Sequence, residues 1–288
     1  MSKPGAPQRP PHLSVCAIYR DEAPYLREWI EFHRLVGVER FFLYNNDSQD
    51  AHRAELAPYV DEGVVELRDW PFFPGQLTAY EDCLKRHRDD ARWIAFIDLD
   101  EFLFSPTGRP VSEVLAAFDR WPGVVVNWAV FGTSGHLTPP AGLVIENYVQ
   151  RSGGQGYNCQ VKSIVDPRRV ANFCSPHFFT YRGGNAVDEN QRVMDRPRGW
   201  TDTVSFSLLR VNHYVTRSEA EYLKKLDTPT AAIAHMRPGK RTERAMKRRI
   251  GVLNEMRDET IQMYLPQLRQ AIARVGDRDR ASADAGST

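Results

Sequence analysis

Along the first hundred residues, short apolar runs alternate with segments whose apolar residues recur every three or four positions. The short runs predict strands buried on both faces, and the longer segments predict amphipathic helices. The strands are expected at 13–18, 41–44, 64–67 and 93–97, and the helices from a cap at Asp21 to a stop at Gly37, from a cap at Asp50 to Tyr59, and from Gly75 to Arg88. This alternation implies parallel strands joined by right-handed crossovers. Residues 12–104 are therefore predicted to form a Rossmann-like nucleotide-binding half.

The fourth apolar run, Trp93 to Ile97, stops abruptly at Asp98 and Asp100. Buried parallel strands deliver functional residues just beyond their carboxyl ends. Two carboxylates spaced i, i+2 at such a position can both bind one hard divalent cation, which would in turn carry the diphosphate of a nucleotide. The simpler alternative is a pair of acids that ends the strand and solvates a turn. The apolar segment 102–104 that follows argues against a surface turn.

Beyond residue 104 the pattern changes to strands separated by loops rich in Gly and Pro. The expected elements are a helix at 111–118 and strands at 124–131, 143–149, 160–165, 178–181 and 207–215. We therefore predict a more antiparallel half over residues 105–227, which would hold the acceptor. A capping box at Thr216–Glu219 is expected to start a helix that ends at Leu226. Helices are predicted within 228–265, and disordered ends at 1–11 and 276–288.

Composition and charge narrow the class of protein. The 288 residues suffice for one large domain, which we place at 12–265. With 38 basic and 37 acidic residues the chain lacks the positive excess typical of nucleic-acid binders. No run approaches the ~18 apolar residues that span a bilayer, so we expect a cytoplasmic protein. Segment 237–250 carries seven basic side chains against one Glu, which is typical of a solvated helix face. Its sharper interpretation is peripheral contact with the inner face of an anionic membrane.

Several familiar motifs are missing from the sequence. No Gly-x-Gly-x-x-Gly turn follows Ile18, and no Gly-x-x-x-x-Gly-Lys-Ser/Thr loop occurs, which disfavours a dinucleotide oxidoreductase and a P-loop NTPase. The loop at 132–135 is not Gly-x-Ser-x-Gly, which excludes the usual serine hydrolase elbow. The four cysteines form no Cys-x-x-Cys pair, which disfavours a zinc or redox site, and Cys16 and Cys83 lie in apolar patterns expected to be buried.

Six stretches of the sequence carry a family resemblance. They lie at 21–33, 43–50, 96–103, 126–135, 162–165 and 212–218. In this order, over roughly residues 13–226, they resemble glycosyltransferase family 92 and its bacterial family-2-like relatives. The resemblance implies a GT-A fold, an α/β structure with a mostly parallel, Rossmann-like sheet flanked by helices, an antiparallel acceptor half and C-terminal helices. It also implies inverting sugar transfer from a sugar nucleotide with the help of a divalent metal.

Site residues follow from the motifs and from this resemblance. By resemblance, Asp98 and Asp100 form the DXD pair, and His213, which closes a predicted strand, is the third ligand of Mn²⁺ or Mg²⁺. The alternative for His213 is a hydrogen-bonded structural histidine. Contacts with the nucleotide sugar are assigned to polar residues of the loops and helix starts, namely Tyr19, Arg20, Glu22, Asn46, Asp47, Gln76, Asp98 and Lys162.

An inverting transfer also needs a carboxylate that accepts the proton of the acceptor hydroxyl. Glu146 is the first choice, because its neighbours Val144 and Ile145 indicate a buried strand that would raise its pKa. Asp195 and Asp202, in the loop before the last predicted strand, are its rivals.

The sequence therefore predicts a metal-dependent inverting glycosyltransferase that moves a sugar from a UDP-linked donor to a hydroxyl of a glycan or lipid-linked acceptor. Two alternatives stay open. One is a metal-dependent sugar-phosphate nucleotidyltransferase, which would release pyrophosphate. The other is a non-catalytic carbohydrate-binding protein with the same fold.

Overall fold

A computed structural model describes residues 12–173, 175–227 and 243–285, and it describes 227, 243–246 and 278–285 as backbone alone. The predictions for residues 1–11, for 228–242, which include the first part of the basic segment, and for 286–288 lie outside the described residues. Within the described ranges, no helix combines the length and the apolar character needed to cross a membrane.

Twelve strands are present in the described residues. They are β1 (Leu13–Tyr19), β2 (Arg40–Asn45), β3 (Val65–Asp69), β4 (Trp93–Phe96), β5 (Glu101–Phe104), β6 (Gly123–Val130), β7 (Gln150–Arg151), β8 (Val161–Val165), β9 (Val170–Phe173), β10 (Phe179–Tyr181), β11 (Arg210–His213) and β12 (Met256–Arg257). The helices are α1 (Ala23–Leu35), α2 (His52–Asp61), α3 (Gln76–Arg86), α4 (Val111–Leu115), α5 (Val144–Asn147), α6 (Gln155–Asn158), α7 (Glu219–Asp227), α8 (Glu243–Leu253) and α9 (Leu265–Ala285).

Eight strands form one sheet in the order β3-β2-β1-β4-β8-β6-β11-β5. The pairings between β1, β2, β3 and β4 and between β6 and β11 are parallel, whereas β8 and β5 run against their neighbours. Six strands therefore end at one edge of the sheet, and the two reversed strands begin there. The predicted mostly parallel α/β fold with an antiparallel second half is confirmed.

The sheet is covered by helices on both faces. Side chains alternate along β1, so that Val15 and Ala17 join the core beneath α1 and α9, whereas Cys16 and Ile18 join the core beneath α3. This period of two is what a strand buried on both faces requires. Cys16 and Cys83 are both buried, as predicted.

The sheet is also curled. Only residues 97–100 join β4 to β5, although β8, β6 and β11 lie between these two strands in the sheet. Four strand spacings in a flat sheet amount to about 19 Å, and five residue steps span at most about 18 Å even when fully extended. The short connection therefore forces the sheet to bend around residues 97–101, which we call the acidic loop.

Several predicted elements differ from the structure. The strand expected at 143–149 is instead the short helix α5, because the Glu28 carboxylate accepts hydrogen bonds from the N–H groups of Val144 and Ile145 and caps a helical turn there. The strand β5 was predicted only as an apolar core segment. Asp21 does not cap α1: its φ is 54°, and Asp50 accepts the N–H of Ala23 instead.

The capping box and the tail also need correction. The box is formed by Ser218 and Glu221, because each side chain accepts a hydrogen bond from the other residue's N–H. The tail predicted to be disordered from residue 276 is helical to 285, where it ends α9. Leu268 and Val275 of this helix are buried in the core, so the domain extends beyond the predicted limit of residue 265.

A buried charge cluster fastens the C-terminal part to the sheet. Asp258 Oδ2 lies 2.6 Å from Arg151 Nε and 3.0 Å from Arg210 Nη1, and Asp258 Oδ1 accepts from the hydroxyl of Thr260 at 2.8 Å. Burial alone would raise the pKa of Asp258, but Arg210 and Arg151 outweigh it and hold the pKa well below its usual value.

We expect Asp258→Asn to lower the free energy of unfolding by about 3–5 kcal/mol, because it leaves two buried guanidinium groups without their counter-charge. Urea unfolding would measure the change. Glu259→Gln is the matched control, because Glu259 is exposed and pairs with Arg257 only at the surface. Equal unfolding midpoints for the two variants would contradict the assigned role of Asp258.

Candidate active site

The strand directions bring the three predicted metal ligands to one edge of the sheet. Asp98 and Asp100 follow β4, and His213 ends β11 at the same edge. Because β8 and β5 run in the opposite direction, Lys162 near the start of β8 and Glu101 at the start of β5 lie there as well. The register pairs His213 directly with Glu101 across the two strands.

Asp98 is held by two side chains. Lys162 Nζ lies 2.7 Å from Asp98 Oδ2, and Gln76, the first residue of α3, donates from Nε2 to Asp98 Oδ1 at 2.9 Å. The Lys162 side chain is only 2% exposed. Burial opposes its charged form, but Asp98 and Glu101 outweigh burial and raise the pKa of Lys162. Lys162 is therefore a permanent positive charge beneath the acidic loop.

Two basic side chains face Asp100 from the other side. Lys225 Nζ, from α7, lies 2.5 Å from Asp100 Oδ2, and His213 Nε2 lies 3.5 Å from the same oxygen. Burial alone would raise the pKa of Asp100, but Lys225, His213 and Arg217 hold it well below its usual value. Asp100 is therefore ionised at neutral pH.

Glu101 lies beneath both aspartates and is fully buried. Its Oε2 accepts the N–H of Asp98 at 2.9 Å and lies 3.3 Å from Lys162 Nζ. Burial raises the pKa of Glu101 to about 8, against the opposing effect of Lys162. This carboxyl group fixes the backbone of the acidic loop, and it is a second partner for the ammonium of Lys162.

His213 is buried against the ring of Trp128, with ring centroids 4.3 Å apart. Burial lowers the pKa of His213, although the Asp100 carboxylate opposes the shift. Its Nδ1 lies 3.9 Å from Glu101 Oε1, and both atoms are buried without a hydrogen-bond partner. The imidazole is therefore neutral at pH 7, which is the form that binds metals.

Arg217 connects the first loop of the chain to the acidic loop. Its Nη1 lies 2.7 Å from Glu22 Oε2, and its Nη2 donates to the carbonyl of Leu99 at 3.4 Å. The guanidinium also lies 3.6 Å from the ring centroid of Tyr25. These three contacts place Glu22 beside the acidic loop and leave Arg217 little freedom.

The remaining predicted nucleotide contacts divide into buried and exposed residues. The Tyr19 hydroxyl is bonded to His52 Nδ1 at 2.7 Å, and the Asn46 amide donates to the carbonyls of Trp70 and Phe72. These two polar groups are thus used inside the protein, which favours a structural role. Arg20 and Asp47 are exposed on the loops after β1 and β2, and their contact with a nucleotide stays a prediction.

The three predicted bases lie apart from these contacts. Glu146 was predicted to be buried in a strand, and this prediction is wrong. It lies on α5, with its side chain 35% exposed and paired with Arg269. Asp195 and Asp202 are exposed in one loop, where both face Arg198. The carbonyl of Gly199 in this loop accepts the N–H of Val161, so the loop borders the Lys162 side of the site.

The donor chemistry of Asp98, Asp100 and His213 suits a hard divalent cation, since it offers two carboxylates and a neutral imidazole. Among the described residues, however, no three His, Cys, Asp or Glu side chains are already grouped as a metal site. Lysine ammonium groups occupy Oδ2 of both aspartates instead. The residues fit a metal that binds after some of these contacts have been exchanged.

Three residues of the site were not predicted as such: Glu101, Arg217 and Lys225. Glu101 directly follows the acid pair, and its position at the start of an apolar segment was the available signal. Arg217 was considered only as part of a capping box. Lys225 meets Asp100 across 125 residues of sequence, and the local pattern around it shows only an amphipathic helix.

Comparisons with known proteins agree with the resemblance to glycosyltransferase family 92. The profile of glycosyltransferase family 92 matches residues 12–272. A glycosyltransferase family 92 protein of Arabidopsis thaliana is 31% identical over 209 residues, which cover 70% of this chain and 35% of that protein. A β-1,4-galactosyltransferase of Caenorhabditis elegans is 26% identical over 226 residues, which cover 70% of this chain and 48% of that protein.

The chain spans only 27% to 35% of the length of the first three plant relatives. Among solved structures, S. aureus TarS in complex with UDP-GlcNAc matches with a TM-score of 0.38 and 12% identity, over 54% of this chain and 45% of that one.

Proposed function

The chain belongs to glycosyltransferase family 92, and from this premise we propose that it transfers a sugar, with inversion, from a UDP-linked donor to a hydroxyl of a glycan or lipid-linked acceptor. The observation that carries the proposal is the set of charged groups at one sheet edge: Asp98 and Asp100, each paired with a lysine, with His213 beside Asp100. Such an edge, at the carboxyl ends of parallel strands, is where α/β sheets bind nucleotides.

Asp98, Asp100 and His213 would hold Mn²⁺ or Mg²⁺. When bound there, the metal neutralises the charge that develops on the departing diphosphate. The rest of the site prepares these ligands. Gln76 and Lys162 fix the two oxygens of Asp98, and Trp128 and Glu101 confine the His213 ring.

The acceptor side is proposed to lie along the loop that contains Asp195 and Asp202, because this loop borders Lys162 through the bond between Gly199 and Val161. A carboxylate there would accept the proton of the acceptor hydroxyl while the sugar moves to the acceptor oxygen and the nucleoside diphosphate departs. We place Asp195 first among the three candidate bases.

Incubation of the purified protein with UDP-sugars and Mn²⁺ tests the proposal. UDP-galactose is the first donor to test, because several relatives are named galactosyltransferases. We expect metal-dependent thermal stabilisation by UDP and, with a suitable acceptor, release of UDP. UDP affinity that is equal in chelator and in Mn²⁺ would contradict the metal assignment. Release of pyrophosphate would instead indicate a nucleotidyltransferase.

A further inference from the structure

The two aspartates of the acidic loop are neutralised in different ways. Lys162 approaches Asp98 from inside the protein, with its side chain 2% exposed. Lys225 approaches Asp100 from the rim, with its side chain 45% exposed, and its Nζ lies 2.5 Å from Asp100 Oδ2. Lys162 has no route to leave its partner without breaking a buried ion pair, whereas the ammonium of Lys225 can return to water.

The oxygen that binds Lys225 is also the one that a metal would need. Asp100 Oδ2 faces both Lys225 Nζ and His213 Nε2, so a cation bound by Asp100 and His213 together would take the position of the ammonium. Two cations cannot share this oxygen at contact distance without strong repulsion. A metal that binds through Asp100 Oδ2 therefore requires that Lys225 leave this oxygen.

A displaced Lys225 remains near any bound nucleotide. Its flexible stem allows the ammonium to move by several ångströms while α7 stays in place. Arg217, the other cation near Asp100, is fixed by Glu22, Leu99 and Tyr25. Of these two cations, Lys225 is the one free to change its partner. A diphosphate brought by the metal offers it a new anion.

We propose that Lys225 is an exchangeable counter-ion: it neutralises Asp100 in the nucleotide-free protein, yields Asp100 Oδ2 to the divalent cation, and then donates to the diphosphate of the bound nucleotide. The proposal deepens the proposed function and rests on it. It makes Lys225 a competitor of the metal when the metal binds alone, and a ligand of the nucleotide once both are bound.

Lys225→Met tests this, because it removes the ammonium and keeps the apolar stem. In the absence of nucleotide, we expect Lys225→Met to bind Mn²⁺ about tenfold more tightly than the wild type does, as measured by electron paramagnetic resonance. At saturating Mn²⁺, we expect the variant to bind UDP about tenfold more weakly, as measured by calorimetry. This is the effect expected from the loss of one charge-assisted hydrogen bond. General damage to the site would weaken both, so the opposite signs identify the exchange.

Two variants serve as controls. Lys85→Met removes an exposed helical ammonium that pairs with Glu81, and it is expected to leave both affinities unchanged. Lys225→Arg keeps the charge, so its affinities for Mn²⁺ and for UDP are expected to be close to those of the wild type. Melting temperatures of all variants establish that they are folded.

The outcomes separate this proposal from the proposed function. If the wild type binds Mn²⁺ but Lys225→Met binds it no more tightly than Lys85→Met does, Lys225 is not a competitor and the proposal fails alone. If Lys225→Met binds Mn²⁺ more tightly and UDP equally well, the transfer of Lys225 to the diphosphate is refuted. If the wild type binds neither Mn²⁺ nor UDP, both the proposed function and the proposed role of Lys225 are refuted.

Discussion

Asp100→Asn is expected to lower the rate of sugar transfer on the order of 10³-fold while leaving the fold intact. The substitution keeps the shape of the side chain and removes the negative charge that faces Lys225, His213 and Arg217. Without this charge the site loses one of the two anionic ligands that we propose for the metal. The departing diphosphate then loses most of the stabilisation that the proposed mechanism depends on.

The folded protein stabilises the charge of Asp100, so the melting temperature should fall. The variant should still fold, because the cations around Asp100 have other partners. Lys225 is about half exposed and can be solvated, and Arg217 retains Glu22. The rate of UDP release at saturating Mn²⁺ and the melting temperature are the two measurements. Asp119→Asn is the matched control, since Asp119 is an exposed aspartate paired with Arg92 before the start of β6, at the opposite edge of the sheet. Turnover by Asp100→Asn close to that of this control would rule out the metal site.

The sequence predicts the nucleotide half of the fold well because its signals are local. Runs such as Trp93 to Ile97 are too apolar for any surface element, and the strand directions follow from the alternation with helices. Because six strands end at one edge, Asp98, His213 and Glu22 all lie at that edge. Lys162 arrives by a different route, because β8 is reversed and begins where the others end.

What the sequence does not reveal depends on contacts between distant segments. Val144-Ile145-Glu146 has the apolar pattern of a strand, but the carboxylate of Glu28, 116 residues away, caps it as a helical turn. The helical extension of α9 escaped prediction for a related reason. Residues beyond 276 carry no apolar anchors, whereas Leu268 and Val275 before them pack into the core and support the helix. In both cases tertiary contacts override a local preference.

The structure changes the ranking of the three candidate bases that the sequence suggested. Glu146 was preferred for its burial, yet its side chain is partly exposed and paired with Arg269. Both oxygens of Asp202 are held by Arg198, at 3.0 and 2.5 Å, and this pairing lowers the pKa of Asp202. A carboxylate that binds an arginine through both oxygens is a weaker base and presents no oxygen to an acceptor hydroxyl.

Asp195 differs from both rivals. Its contact with Arg198 is longer, at 3.5 Å, and it falls on Oδ1, the same oxygen that accepts the N–H of Arg196. A single engaged oxygen orients the carboxylate in the way a base requires. The loop that carries Asp195 also borders Lys162 through Gly199, whereas Glu146 lies against α9.

We therefore expect Asp195→Asn to lower the rate of transfer by about 10²–10⁴-fold, the range typical of general-base catalysis. Because asparagine keeps the shape of the side chain, the affinities for UDP and Mn²⁺ should persist, so that the loss appears in kcat rather than in donor binding. Glu146→Gln and Asp202→Asn are the controls within the same panel and should retain rates within a few-fold of the wild type. A large loss confined to either control would transfer the role to that residue. Equal losses in all three would mean that the proton is accepted elsewhere, since one hydroxyl needs only one base.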